Sequence, residues 1–411
     1  MNHTKIIKNL ILISFILIIS NCSVAQKING KIIKQNKYLT ILKLHGTHKQ
    51  RGFAYGYLLK DRVRVIYDNY IKQGFSGFLP YARKSIETGV FKIDKKYIIE
   101  AKAIISGMAS AGADTSGFSY IDILIANSFL DFDAFTNGCS SLMSWGDATK
   151  HTKLKGKSVI TRNMDWEVSP LLMQNNVIVI HIPSEKDEQP WLMVGYAGQI
   201  GVLSGTNKGG LSVFQHMMYY DNQKFVEDKP KYEPIWFSLR KALEQNDFDK
   251  SGQNDVNDLR AVLTGNKEGY ASGFIVSALA GSNSGADSLI ALVAELAPNK
   301  PYLTFRAKKD NIKITGDNLF AANSPIKRNN EKGFCRRYFR VYKTLLKIKS
   351  IDDSIAWEIM KEKSHLSQNL QTIQVIPENS ELKLSIRKNI KQNKKQTPET
   401  YDLNKFWEFE D

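Results

Sequence analysis

Cysteine is scarce in this chain: three in 411 residues, at positions 22, 139 and 335. That excludes a disulfide-built fold, and at most a single bridge is available once the N-terminal segment is set aside. Seven histidines are present, but none falls in a His-Glu-x-x-His pattern, and there is no Cys-x-x-Cys. A zinc centre is therefore not expected, nor any other metal. No phosphate-loop glycine motif and no Gly-x-Ser-x-Gly elbow occurs, so no nucleotide cofactor or serine-hydrolase elbow is expected. Apolar runs are short. The one that stands out, residues 10–19, is too brief to span a bilayer comfortably.

That run follows Lys5 and Lys8 and precedes Ser23-Val24-Ala25. This is the pattern of a secretory signal peptide covering residues 1–25, with cleavage after Ala25 and an extracytoplasmic (periplasmic or secreted) product. Cys22 offers lipidation as the second reading, although Asn21 is a poor match to the small residue such sites prefer.

Acidic residues are outnumbered: 41 against 57 basic ones, for a net charge of +16. No recognisable nucleic-acid module accompanies the excess, so no nucleic acid is expected as a partner. The densest basic run, residues 387–395, reads as a solvated loop, with attraction to an anionic membrane surface as a weaker alternative.

Against these absences one cluster is informative. Asn137-Gly138-Cys139 is followed by Thr161-Arg162-Asn163-Met164-Asp165-Trp166. A cysteine thiolate is a strong nucleophile when a neighbouring base or cation lowers its pKa. If the Gly138–Cys139 bond were cut, the new α-amine could be that base, because its pKa of about 7.7–8.0 lies near working pH. The plain alternatives are a Cys139–Cys335 disulfide and a structural Arg162–Asp165 ion pair on a hairpin. Asp131 and Asp133, just upstream, read as capping or solvating a helix end.

These residues resemble the N-terminal-nucleophile (Ntn) hydrolases of the choloylglycine hydrolase, isopenicillin N acyltransferase and acid ceramidase group. The similarity continues in order along the chain. It includes Gly46, Gly52 and Gly56 near the start, Gly205-Thr206-Asn207-Lys208-Gly209-Gly210-Leu211-Ser212-Val213, Ala322-Asn323-Ser324-Pro325, and Arg337-Tyr338-Phe339-Arg340. The resemblance implies an α+β, four-layer αββα sandwich with Cys139 at the N-terminus of a central strand. It implies self-cleavage between Gly138 and Cys139, giving an N-terminal chain of residues 26–138 and a catalytic chain of residues 139–411 that stay associated.

The implied activity is hydrolysis of a linear N-acyl amide through an acyl-enzyme on Cys139, or transfer of that acyl group to an amine. A non-catalytic binding protein on the same fold is the alternative of another class. Arg162 is expected near the thiol, Asp165 on the α-amine, and Asn323 and Asn207 as oxyanion donors. Arg337 resembles a functional arginine, although Arg336, Arg340 and Lys343 also allow a plain basic helix face. The oxyanion asparagine expected five or six residues after Leu211 is missing. His216 stands there and could replace it.

The coarse element pattern has a mainly helical first part, with a strand over 31–44 and helices over 49–70, 96–111 and 121–132. Strands then follow at 140–145, 158–164, 177–182, 191–196 and 211–216. Helices come at 235–244 and 256–263, strands at 273–278, 289–295 and 302–307, and helices at 337–348 and 354–363. A hairpin over 372–376 and 382–386 closes the chain. Apolar residues Phe75, Phe78, Leu79, Leu171, Leu172 and Met173 are candidates for an acyl pocket.

Overall fold

The computed structural model describes residues 27–132, 138–219, 232–281, 289–328, 335–391 and 397–408. The expected signal peptide, Cys22, Asp133 and part of the basic run lie outside these residues.

Two sheets form the centre. The large one runs in spatial order through Gly30–Gln35, Leu39–Gly46, Asn176–Pro183, Trp191–Tyr196, Ser204–Asn207, Ser212–Met217, Phe274–Leu279, Ala291–Leu296 and Leu303–Arg306. The small one runs through Asn318–Ala321, Cys139–Ser144, Val159–Asp165, Asn369–Ile376, Glu381–Ile386 and Glu399–Asp402. Neighbours pair antiparallel except Leu39–Gly46 with Asn176–Pro183, which pair parallel.

Side-chain alternation gives the layer order. Ile41, Ile178 and Ile180 of the large sheet share one core with Met143, Ile160 and Val375 of the small sheet, so the sheets pack face to face. Leu42, Leu44, Val177 and Val179, on the opposite face of the large sheet, pack against helices His48–Ile66, Lys95–Ser110 and Ile235–Glu244. Leu142, Val159 and Phe320, on the outer face of the small sheet, pack against Arg336–Leu345 and Asp353–Ile359. The order is helix, sheet, sheet, helix: the four-layer αββα sandwich.

Residues 31–44 do not form one strand. The Asn36 side-chain carbonyl accepts from the Tyr38 and Leu39 N–H groups, which turns the chain into a hairpin. Through that hairpin the N-terminal part joins the large sheet, so it is more than a helical prefix.

The glycines near the start have a packing reason. A Cβ on Gly56 would sit 2.0 Å from the Ile104 carbonyl oxygen, and one on Gly107 would sit 2.1 Å from that of Phe53. The two long helices therefore touch backbone to backbone.

A buried charge network ties the first part to the rest. Glu100 receives His48 Nδ1 at 2.7 Å and Arg240 Nη2 at 2.6 Å, and Arg240 Nε donates to Glu244 at 2.9 Å. Lys96 donates to Glu188 at 2.9 Å, and Arg51 donates to Glu185 and Glu188 at 2.8 and 3.1 Å. Arg240 and His48 hold the Glu100 carboxyl well below its usual range, against the opposing effect of burial. Removing one partner of such a cluster strands the others in a dry site. Glu100→Gln is expected to cost about 3–5 kcal/mol of stability in urea unfolding; a loss below about 1 kcal/mol would mean the network is not structural.

Candidate active site

Two short antiparallel strands place the central groups. Cys139 opens its strand and pairs with Met164, and Ser141 pairs with Arg162. Cys139, Ser141, Arg162 and Met164 therefore share the face toward the large sheet. Asp165 points the other way, toward the helix Arg336–Leu345. At the strand end, Cys139 lies within reach of both faces.

The thiol is buried and reduced, and so is the half-buried Cys335. The two form no disulfide. Arg162 Nη2 lies 3.5 Å from Cys139 Sγ and donates to the Gln215 carbonyl at 3.0 Å. Its Nε and Nη1 have no hydrogen-bond partner, and no described carboxylate lies within ion-pair distance of it. An arginine sealed in protein with two unused donors is rare, and points to an acceptor that arrives with the chemistry. Burial pushes the Cys139 thiol up, and Arg162 is the strongest influence bringing it down.

The backbone of Cys139 is held from the other side. Its N–H donates to Asn323 Oδ1 at 2.8 Å, and its carbonyl accepts from Arg337 Nη1 at 2.9 Å. Arg337 Nη2 also donates to Asn323 Oδ1, and Asn323 Nδ2 donates to the Met217 carbonyl. Arg337 is thus part of the site and not one of a basic helix face.

Asp165 accepts from Asn369 Nδ2 at 3.0 Å through Oδ1, while its Oδ2 has no hydrogen bond and lies 3.5 Å from Arg337 Nη1. Burial raises the Asp165 carboxyl to about 6, with Arg337 as the main opposing influence. In the uncut chain Asp165 does not accept from the Cys139 nitrogen; Asn323 does.

Gly138 serves close packing. A Cβ there would meet Leu366 Cδ1 at 2.5 Å, and its φ is not in the left-handed region. Its carbonyl accepts from the Asp165 N–H at 2.8 Å.

Asn207 stands elsewhere, whereas His216 lies against the Cys139 backbone but outside the cavity. Asn207 ends its strand as a turn residue. It donates to the Leu243 carbonyl and to Asn254, and accepts from the Leu211 N–H, and none of these touches Cys139. His216 is buried between the sheets, with Nε2 3.0 Å from Ser141 Oγ and 3.1 Å from Ser277 Oγ. Burial, then Arg162 and Arg337, hold its pKa well below the usual imidazole value, so it stays neutral. Alternation is the reason it misses the pocket. Val213, Gln215 and Met217 face the helical layer, whereas Phe214, His216 and Met218 face the small sheet.

Gln215 therefore occupies the pocket wall that His216 was expected to reach, and simple period-two counting from Val213 identifies it. Asp131 is also displaced from its expected role. It is buried, its carboxyl is raised well above its usual value by burial, and it accepts from Ile235 N–H at 3.1 Å at the start of a helix.

An apolar cavity of about 60 Å³ opens beside the thiol. Its walls include Ile66, Tyr70 and Phe129 from the first part of the chain, and Met164, Trp166 and Trp236 from the rest. Leu172 belongs to it, whereas Phe75, Phe78, Leu79, Leu171 and Met173 do not. Phe75 packs behind it on Phe129.

No protein-family model matches the chain. Two curated relatives are similar, proteins dcd1B and dcd1A of Dictyostelium discoideum, each 25% identical. The first match covers 44% of this chain and 39% of dcd1B, and the second covers 56% of this chain and 55% of dcd1A. The chain thus spans about half or less of the relatives it matches.

Similar solved structures include the Caenorhabditis elegans N-acylethanolamine-hydrolyzing acid amidase ortholog (TM-score 0.42, 15% identity, 58% of this chain and 93% of that one). They also include the conjugated bile acid hydrolase of Clostridium perfringens (0.39, 13%, 64% and 93%) and penicillin V acylase of Agrobacterium tumefaciens (0.39, 10%, 60% and 83%).

If Arg162 sets the thiolate, Arg162→Met will slow alkylation of Cys139 by iodoacetamide at least about tenfold at fixed pH, one pKa unit or more. An unchanged rate with an intact melting curve would remove that role.

Proposed function

We propose that this protein is a self-processing cysteine amidohydrolase that cleaves a linear N-acyl amide. The observation that carries the reading is a buried thiol at a strand N-terminus, beside an arginine with unused donors and an aspartate with an unused oxygen.

In the precursor, Cys139 Sγ attacks the Gly138 carbonyl carbon. The Asp165 N–H already donates to that carbonyl oxygen and is placed to take the developing negative charge. The C–N bond breaks and the Cys139 nitrogen takes the thiol proton, leaving a thioester on Sγ. Water then releases the Gly138 carboxylate and regenerates the thiol.

In the mature enzyme the freed α-amine keeps Asn323 Oδ1 as an acceptor and gains Asp165 Oδ2. It takes the thiol proton as Cys139 attacks the substrate amide, and gives that proton to the leaving amine. Arg162 steadies the thiolate. Water completes hydrolysis of the acyl-enzyme; an amine in its place would give acyl transfer.

The N-terminal chain supplies about a third of the pocket wall and half of the buried charge network, so both chains remain together. We place the enzyme outside the cytoplasm, on the strength of residues 1–25. Among the described residues no helix is long and apolar enough to cross a membrane.

The test is intact mass of the wild type beside Cys139→Ala. Two chains meeting between Gly138 and Cys139, with the variant whole, are expected, followed by release of amine from an N-acyl amide panel. One uncut wild-type chain would remove the α-amine base and favour a binding protein.

A pH profile gives a second check. In the uncut chain burial raises the Asp165 carboxyl to about 6, and the α-amine freed beside it would draw that value down, so turnover of N-acyl amides should rise with pH toward the amine's own range of about 7.7–8.0. Asp165→Asn should lower amide turnover while leaving self-cleavage, which uses only the backbone N–H at that position, in place. A rate that falls as pH rises through 6 would exclude an ionised Asp165.

A further inference from the structure

The cavity beside Cys139 has two polar side chains that its own protein does not satisfy. Tyr196 Oη donates only to the thioether of Met164, at 3.7 Å. Gln215 Nε2 donates only to the thioether of Met217, at 3.4 Å, and Gln215 Oε1 has just a long contact from Trp236 Nε1 at 3.4 Å. Both residues are more than nine-tenths buried and both line the cavity. Sulfur is a weak acceptor, so two buried donors are left nearly unused.

Neighbouring donors show the contrast. Trp166 Nε1 and the Tyr196 N–H each have an oxygen acceptor, Tyr70 Oη at 2.6 Å and Gln199 Oε1 at 2.8 Å. Packing alone does not account for the exception. A phenylalanine and a leucine would fill the same volumes without stranding a donor. The pair is also tied to the reactive end of the cavity, because the Gln215 carbonyl accepts from the Arg162 nitrogen that approaches the thiol.

We propose that Tyr196 and Gln215 read an oxygen on the acyl group that enters this pocket. The substrate class is then an N-acyl amide whose acyl chain carries a hydroxyl or oxo group, in preference to a plain alkyl chain. The rest of the wall, Met164, Trp166, Leu172 and Trp236 among it, takes the apolar part of that chain. A site built to hydrogen-bond an oxygen rejects the analogue lacking it strongly, because its own donors then stay unpaired. The inference rests on the reading of Cys139 as an acyl-transfer nucleophile for its catalytic part, but the binding part stands apart from it.

Binding is tested first, on the full-length purified protein. Quenching of tryptophan fluorescence reports occupancy, since Trp166 and Trp236 line the cavity. A series of monohydroxy fatty acids, with the hydroxyl moved along the chain, is compared with the plain acid of equal length. At least one hydroxylated isomer is expected to bind at least about tenfold more tightly. Tyr196→Phe and Gln215→Leu, on different strands, should each bring that ratio toward one while the melting temperature stays within a few degrees. The matching N-acyl amides are then compared by kcat/KM, with the same collapse of the ratio.

Equal binding of plain and hydroxylated acids by the wild type would overturn the proposal. So would variants that weaken both ligands alike, since that marks donors serving the reacting carbonyl or the fold. Retained discrimination in binding with no amide turnover would leave the oxygen reader standing and remove the hydrolase reading.

Discussion

The pairing of Cys139 with Met164 across two antiparallel strands fixes the place of every other polar group at the site. It puts Arg162 on the thiol's own face, three residues from Asp165 on the far face. Neither side chain could be moved by one position without exchanging the two environments, because a one-residue slip inverts every side chain of a strand. The flanking strand Asn369–Ile376 locks this register and supplies Asn369 to Asp165. The strand Asn318–Ala321 closes the other side, and the chain just after it brings Asn323 to the Cys139 nitrogen. The helix Arg336–Leu345, packed on the outer face, delivers Arg337. The site is a property of the small sheet and its covering layer, while the large sheet and its helices build the pocket.

Much of this was legible in residues. The strand over 191–196 and the helix over 235–244 coincide with the observed elements, because each has an unbroken period and clear boundaries. Four-residue strands such as Ser204–Asn207 and Asn318–Ala321 were not read, because they are too short to show a period. The hairpin within 31–44 was hidden because its turn rests on one Asn36 side chain and not on a glycine pair.

At the site, Cys139, Arg162, Asp165, Asn323 and Arg337 converge and His216 lies against the Cys139 backbone from between the sheets, whereas Asn207 does not join them. The His216 expectation followed a count along a motif and ignored the two-residue alternation of the strand carrying it. Gln215 was available from that alternation. The buried network around Glu100 was not, since nothing local marks His48, Glu100 and Arg240 as neighbours.

The network also decides what a break at residue 138 means for the molecule. Its members on one side, Arg51, Lys96 and Glu100, face Glu188, Arg240 and Glu244 on the other, all but Lys96 largely shielded from water. While the chain is continuous, these partners meet at the high effective concentration of a single tether. If the proposed cut removes the tether, the same contacts would hold the assembly, but re-forming them from separated chains would be a bimolecular encounter. Refolding would then depend on dilution, and the cut protein would persist by slow unfolding more than by easy return. With the proposed cut, maturation of this fold would be a ratchet: assembly would have to come first, and it would not be repeated.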